Sequence, residues 1–296
     1  MVKICLIPND FYTKDVDFEE VLEFCTKESV KFIEIASLWG KSVLDMEENE
    51  IEKVKTLLNS AGVQVGSVQT QIMKTVTPFG SFFTRLFGRI VSFFYGSLGK
   101  QNMHGNYEYN ISRIDDAIQI AKEFNSDYII TYSYFTKGAK IDEKTWNRLI
   151  ADYKVLASKC ETEKKTLVIE CEGDTFIQDT RTYLKLFNEV NSPYVKANLD
   201  LSNFVSHVGD FTRDDFEALK EHVEYFHVKD RKGNMGSVFG EGDIPWKKVL
   251  PWFIDAGYDG FLSVEPHVHG RDKFNRAKQC VLNLKQMLEE LGIEYE

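Results

Sequence analysis

The sequence predicts an α/β protein built as a single (β/α)8 TIM barrel with an aromatic-rich insertion after its third strand. Three observations carry that expectation. Short β-rich runs alternate with longer stretches of helical period along all 296 residues. These β-then-α units number eight, the count of the barrel. The turn after the first run reads "PNDFYTKD", unlike the glycine-rich turn that opens a dinucleotide-binding sheet. Length agrees, because barrels of ~250 residues are routinely one domain. One domain over residues 1–296, with an insertion at 73–110, is therefore expected.

In order, the runs are "KICLI" (3–7), "FIEIA" (32–36), "VQVGSVQT" (63–70), "YIITYSY" (128–134), "TLVIE" (166–170), "VKANLD" (195–200), "EYFHVKD" (224–230) and "FLSVE" (261–265). They are rich in the branched and aromatic residues that suit a pleated surface. Helical period is clearest at Ile111, Ile114, Ile118 and Ala121, and again at Phe274, Ala277, Val281, Leu284, Leu288 and Leu291. Both sets step by three and four, as a buried stripe does. Pro251 falls in the seventh helical segment, so a kink or a late start is expected there.

Composition narrows the function. Hydrophobic residues at 43% and charged residues at 28% describe a soluble globular chain with a sizeable core. A net charge of −10 disfavours general attraction to nucleic acid. Five scattered cysteines without a CxxC pair argue against a disulfide framework or a cysteine zinc site. With an apolar strand opening directly at "MVKICLIPND" and no basic leader, the cytoplasm is the expected location.

One segment breaks the rhythm. Residues 78–100 hold six phenylalanines, one tyrosine, two arginines, one lysine and no acid. Arg85, Arg89 and Lys100 cut it into pieces shorter than the ~20 residues of a membrane span, so no span is expected. It is read as extra helices over the barrel or a homo-oligomer contact, as a lid over the site, or as a membrane-surface element.

The strand "EYFHVKD" ends in polar residues. Side chains alternate, so Tyr225, His227 and Lys229 share one face and Phe226 and Val228 the other. The apolar pair suits the helices, which turns His227 into the barrel near its C-terminal mouth. In the same phase Glu170 follows Val168, Asp200 follows Asn198, and Glu265 follows Ser263. Singly, each residue is as well explained as a helix cap, a surface charge or a hydrogen-bonded core histidine. Together they put a potential ligand at the end of four consecutive strands. Three carboxylates at one barrel mouth repel unless a cation sits among them. An oxygen-rich set with one imidazole suits one divalent ion, Mn2+ first, with Mg2+, Co2+ and Zn2+ as alternatives.

From strand 2 to strand 8, and most specifically in its second half, the chain also resembles the xylose isomerase-like barrel superfamily, in particular its sugar phosphate isomerase/epimerase group, which includes endonuclease IV. The resemblance lies in "LVIEC", "NLDLSNF", "FHVKD", "FGEGDIPW" and "GYDGFLSVEPH". It implies Glu170, Asp200, His227 and Glu265 as metal ligands, with Glu170 and Glu265 exchanging protons on opposite sides of a sugar. Many members follow the first glutamate with asparagine and histidine, where Cys171 and Glu172 stand here. Asn203 occupies a place where endonuclease IV has a histidine of its three-metal cluster, which counts against a nuclease.

Lys229, Asn203, Glu34, Trp39, His267 and Glu172 are second candidates, for substrate binding. A buried salt bridge explains Lys229 equally well, solvent exposure does so for Glu172, and Glu34 and Trp39 have plainer structural readings. In "GEGD", Gly240 and Gly242 permit a tight turn and Asp243 is expected to cap the next helix. The expected activity is a metal-dependent sugar isomerase or epimerase acting on a small carbohydrate. A dehydratase or a lyase cleaving carbon-linked glycosides is the alternative, and a binding protein without turnover lies beyond it.

Overall fold

The structure is a computed structural model that describes residues 1–78, 106–136, 141–270 and 272–296. The aromatic run at 79–100, with all three of its readings, lies outside the described residues. Eight strands form the barrel: β1 (Lys3–Leu6), β2 (Phe32–Ile35), β3 (Gln64–Gln69), β4 (Tyr128–Thr131), β5 (Thr166–Glu170), β6 (Val195–Asp200), β7 (Val223–Val228) and β8 (Phe261–Val264). Each pairs in parallel with its sequence neighbours, and β1 closes on β8. All eight expected runs are strands, with the fourth ending at Thr131 and the seventh at Val228.

A helix follows each strand: α1 (Phe18–Lys27), α2 (Glu48–Ala61), α3 (Ile114–Glu123), α4 (Glu143–Thr162), α5 (Thr180–Val190), α6 (Arg213–Leu219), α7 (Trp246–Asp255) and α8 (Lys273–Glu290). Strand β6 leads first into an additional helix at Leu201–Val208. The apolar stripes face the strands, as the buried Ala277, Val281, Leu284 and Leu288 of α8 show. The Ile111–Ala121 stripe is divided, since a separate turn of helix at Tyr107–Ser112 precedes α3. Among the described residues, no helix is long and apolar enough to cross a membrane.

Two cores result. The larger lies between strands and helices. The smaller fills the lower barrel with Cys5, Ile130, Val168, Tyr225 and Phe261. Because inward residues stack in layers, a polar layer rests on this apolar plug. Glu34 of β2 stands in register with Ser67 of β3, and His227 of β7 stands in register with Ser263 of β8. The plug excludes water from below, leaving the polar layer to face the C-terminal mouth.

The loop after β7 departs from expectation. Asp243 does not cap α7, whose N-cap is Pro245 without a side-chain bond. Its carboxylate instead accepts from the backbone N–H of Gly233 at 2.9 Å. The loop is gathered by the buried Asp230, which accepts from the N–H groups of Arg231 (2.8 Å), Gly240 (3.0 Å), Gly242 (3.1 Å) and Ile244 (3.2 Å). A Cβ at Gly242 would lie 2.1 Å from Asp230 Oδ1, so this close approach requires glycine. Nor does Pro251 delay the helix: α7 begins at Trp246, where the indole N–H donates to Lys229 O at 3.0 Å. That anchor sets the helix start ahead of the proline.

Candidate metal centre

Strand alternation and register bring the four strand-end residues to one place. Each of Glu170, Asp200, His227 and Glu265 offers a ligand atom, all four atoms lie within 4.8 Å of one another, and all four residues are buried. Asp200 is in register with His227, so β6 and β7 present them side by side. His227 Nδ1 lies 3.2 Å from Glu170 Oε2 and 3.6 Å from Glu265 Oε2. Lys229 Nζ lies 2.6 Å from Asp200 Oδ2 and 2.8 Å from Glu265 Oε2.

The opposite edge of the imidazole meets Glu34. His227 Nε2 is 3.2 Å from both Glu34 oxygens, and the hydroxyls of Ser67 (3.2 Å) and Ser263 (3.1 Å) donate to Glu34 Oε2. Glu34 is fully buried in the polar layer, among barrel side chains.

The remaining candidates fall into two groups. Asn203 donates to Cys171 O at 3.0 Å and lies 3.4 Å from Glu170 Oε1, while its own N–H caps on Asp200 Oδ1 at 2.8 Å. His267 Nε2 is 3.1 Å from Glu265 Oε1, from a backbone with φ of 44°. Glu172 pairs with Lys74 at 2.6 Å, and the ammonium of Lys74 sits 4.4 Å from the Tyr132 ring centre. These three border the four-residue group. Trp39 does not join it: its ring packs edge-on against Phe18, lies under Lys53 Nζ at 3.9 Å, and its N–H reaches Glu19 at 3.3 Å. Asp230 and the two serines were not singled out by sequence reasoning. The acid beside a strand end was the one available signal for Asp230, and small hydroxyls inside a strand are none.

Electrostatics define what this group wants. Four carboxylates, Glu34, Glu170, Asp200 and Glu265, surround His227 and Lys229, and His267 beside Glu265 is a third group able to carry positive charge. Burial works against charge at His227, but Glu34, Glu170 and Glu265 outweigh it and hold its pKa well above the ordinary value. Burial likewise opposes ionisation at Glu265, where Lys229, His267 and His227 prevail and hold it well below the usual range. At Asp200 burial wins over Lys229, lifting the carboxyl to about 6.

The residues fit a bound divalent cation. Glu170 Oε2, Asp200 Oδ2 and His227 Nδ1 are buried and lack an aligned hydrogen bond, meeting only charged neighbours: Lys229 Nζ at 2.6 Å from Asp200 Oδ2, and each other at 3.2 Å for Glu170 Oε2 and His227 Nδ1, where buried polar atoms are expected to be fully satisfied. The donors are hard oxygens and one imidazole, the set taken by Mn2+, Mg2+ or Zn2+.

Residues 22–290 match the family model described as xylose isomerase-like TIM barrel, and the chain belongs to that family. A fructoselysine 3-epimerase from Shigella flexneri is 23% identical over 184 residues, 57% of this chain and 61% of that protein. The chain thus spans about three fifths of that curated relative. An L-ribulose 3-epimerase structure superposes with a TM-score of 0.75 at 13% identity, covering 98% of this chain and 95% of that one. A probable 3-DHS dehydratase from Bacillus anthracis gives 0.71 at 16% identity, covering 95% and 99%. Likeness at these identities shows the shared fold.

Proposed function

We propose that this xylose isomerase-like barrel is a divalent-metal-dependent sugar isomerase or epimerase that abstracts a proton beside a carbonyl. The observation that carries the reading is the convergence of Glu170, Asp200, His227 and Glu265 from four successive strands onto one buried point. Glu170, Asp200, His227 and Glu265 would hold the ion, and the chemistry it supplies when bound is Lewis acidity toward the substrate's carbonyl and hydroxyl oxygens.

The protein's own groups do the rest. Glu170 Oε2 faces His227 Nδ1 at 3.2 Å in the site, and burial, which opposes its charge, is overcome by His227, so the carboxyl is held below its usual pKa. It is therefore ionised near neutral pH and able to accept a proton. Glu265 Oε2 approaches the same imidazole nitrogen as Glu170 Oε2, which brings both carboxylates to one site, and in this reading each would serve one face of the substrate. Lys229, His267 and Asn203 each touch one of these glutamates and would orient hydroxyl groups, with Glu172 at the border. The 3-epimerase relative supports a keto sugar as substrate class. Five free, buried cysteines support a cytoplasmic setting.

The test is a screen of ketoses, inososes and glycosides with Mn2+ or Co2+, following deuterium uptake from solvent. Exchange at one carbon with mass otherwise conserved is the expected result. Loss of water or of an aglycone would replace this reading with elimination on the same scaffold. Absence of exchange with every compound, from protein that holds no divalent ion, would leave a binding protein.

A further inference from the structure

We propose that Glu34 is a positioning residue for the metal centre: with Ser67 and Ser263 it fixes the ring and the tautomer of His227 so that Nδ1 faces the ion. This inference rests on the metal reading above and assigns Glu34 to the ligand's far edge, away from the substrate.

The geometry is specific. Both Glu34 oxygens lie 3.2 Å from His227 Nε2, so the carboxylate is centred on that nitrogen. A carboxylate oxygen accepts hydrogen bonds, and Glu34 already accepts from two hydroxyls. The proton of a neutral imidazole therefore sits on Nε2, and Nδ1 is left as the lone pair turned toward Glu170 and Glu265. A carboxylate behind a ligating histidine orients the ring and raises its basicity.

Glu34 is itself held. Ser67 and Ser263 donate to one of its oxygens from strands β3 and β8, and Ser67 also bonds the Tyr225 hydroxyl at 2.9 Å. Four strands thus lock one carboxylate against one imidazole, and Glu34, Ser67, His227 and Ser263 are all fully buried. The two hydroxyls serve Oε2 alone, and Oε1 is met by His227 Nε2. The imidazole centred on it gives it a second task.

The experiment measures Mn2+ affinity by electron paramagnetic resonance of the free ion, and the Co2+ absorption spectrum, with folding followed separately by circular dichroism. Wild type is compared with Glu34→Leu, Glu34→Gln, and a Ser67→Ala/Ser263→Ala double variant. Glu34→Leu should weaken Mn2+ about 10–100-fold. Glu34→Gln keeps an acceptor oxygen and should recover at least half of that loss on a logarithmic scale, with a Co2+ spectrum close to wild type. The serine double variant should lose a smaller factor, about 3–10-fold on the same grounds.

A folded Glu34→Leu protein that binds Mn2+ within twofold of wild type, or a Gln variant as weak as Leu, overturns the proposal. If Glu34→Leu does not fold, the serine variant decides, and unchanged affinity there overturns it equally. Wild type that binds neither ion removes the metal reading and this inference with it, an outcome distinct from equal binding by both proteins.

Discussion

Glu170 and Glu265 differ from Asp200 and His227 in what their removal should do. A glutamine at 170 or 265 keeps the shape and one oxygen donor and loses the proton acceptor. Turnover is expected to fall by ~10²–10⁴, the usual contribution of general acid–base catalysis, while part of the metal affinity remains. Asp200→Asn and His227→Ala should lose metal first, and added Mn2+ should restore part of the activity. Side-by-side metal titration and turnover checks the split, and full rescue of both glutamate variants by metal would move the base elsewhere. Which residues met here was partly legible beforehand. Strand parity alone turned Glu170, Asp200, His227 and Glu265 the same way, because alternation is a local property of a strand. Parity also put Lys229 inside, and Glu34 stood as a candidate on its strand, but neither had a partner assigned. Lys229 turned out to bridge Asp200 and Glu265, and Glu34 to back His227, a partner 193 residues away.

Among the connecting elements, two side chains tie segments that the sequence leaves separate. Asn110, fully buried before α3, accepts from Met73 N at 2.7 Å and donates to Gln71 O at 2.6 Å, joining the two feet of the long β3–α3 connection. Asn110→Ala strands a buried N–H and should cost about 1–3 kcal/mol in urea unfolding. Asp215 joins α5 to α6. Partial burial disfavours its charge, but hydrogen bonds from Thr180 (2.6 Å) and from Thr212 outweigh it and hold the carboxyl below its usual pKa. A depressed folded pKa means the stabilisation is complete above the unfolded value of ~4 and is lost as pH falls through the folded one. Asp215→Asn should therefore be less stable than wild type by about 1 kcal/mol at pH 6, discounting for solvent screening, with the gap closing as pH falls through the folded pKa. A gap that stays equal as pH falls would refute the assignment. The expected cap at Asp243 failed for a related reason, since Asp230 had already organised that loop through four backbone N–H groups.

For the barrel as a unit, closure through β1 and β8 makes every strand depend on two neighbours. We expect residues 1–296 to unfold as one domain, in one cooperative transition by calorimetry. Two resolved transitions would require a second domain. Because a ligand that binds only the folded state stabilises by RT ln(1 + [L]/Kd), Mn2+ at ~100-fold above Kd should add about 2.7 kcal/mol, and a chelator should remove it. The same Mn2+ should leave the melting temperature of His227→Ala almost unchanged. An equal rise in both proteins would mean that the ion binds elsewhere.

Hydrophobic period, strand count and strand parity are short-range properties, and from them the chain alone determines the barrel, its eight strands and the inward direction of the four strand-end residues. Tertiary structure decided the rest. It placed Glu34 on His227, put Lys229 between two carboxylates, gave the β7–α7 loop to Asp230 and left Trp39 packed on Phe18 under Lys53. The reason is physical: these contacts depend on distances across the barrel and on which acceptor reaches a buried donor first, and closing the sheet is what brings such distant residues within hydrogen-bonding range.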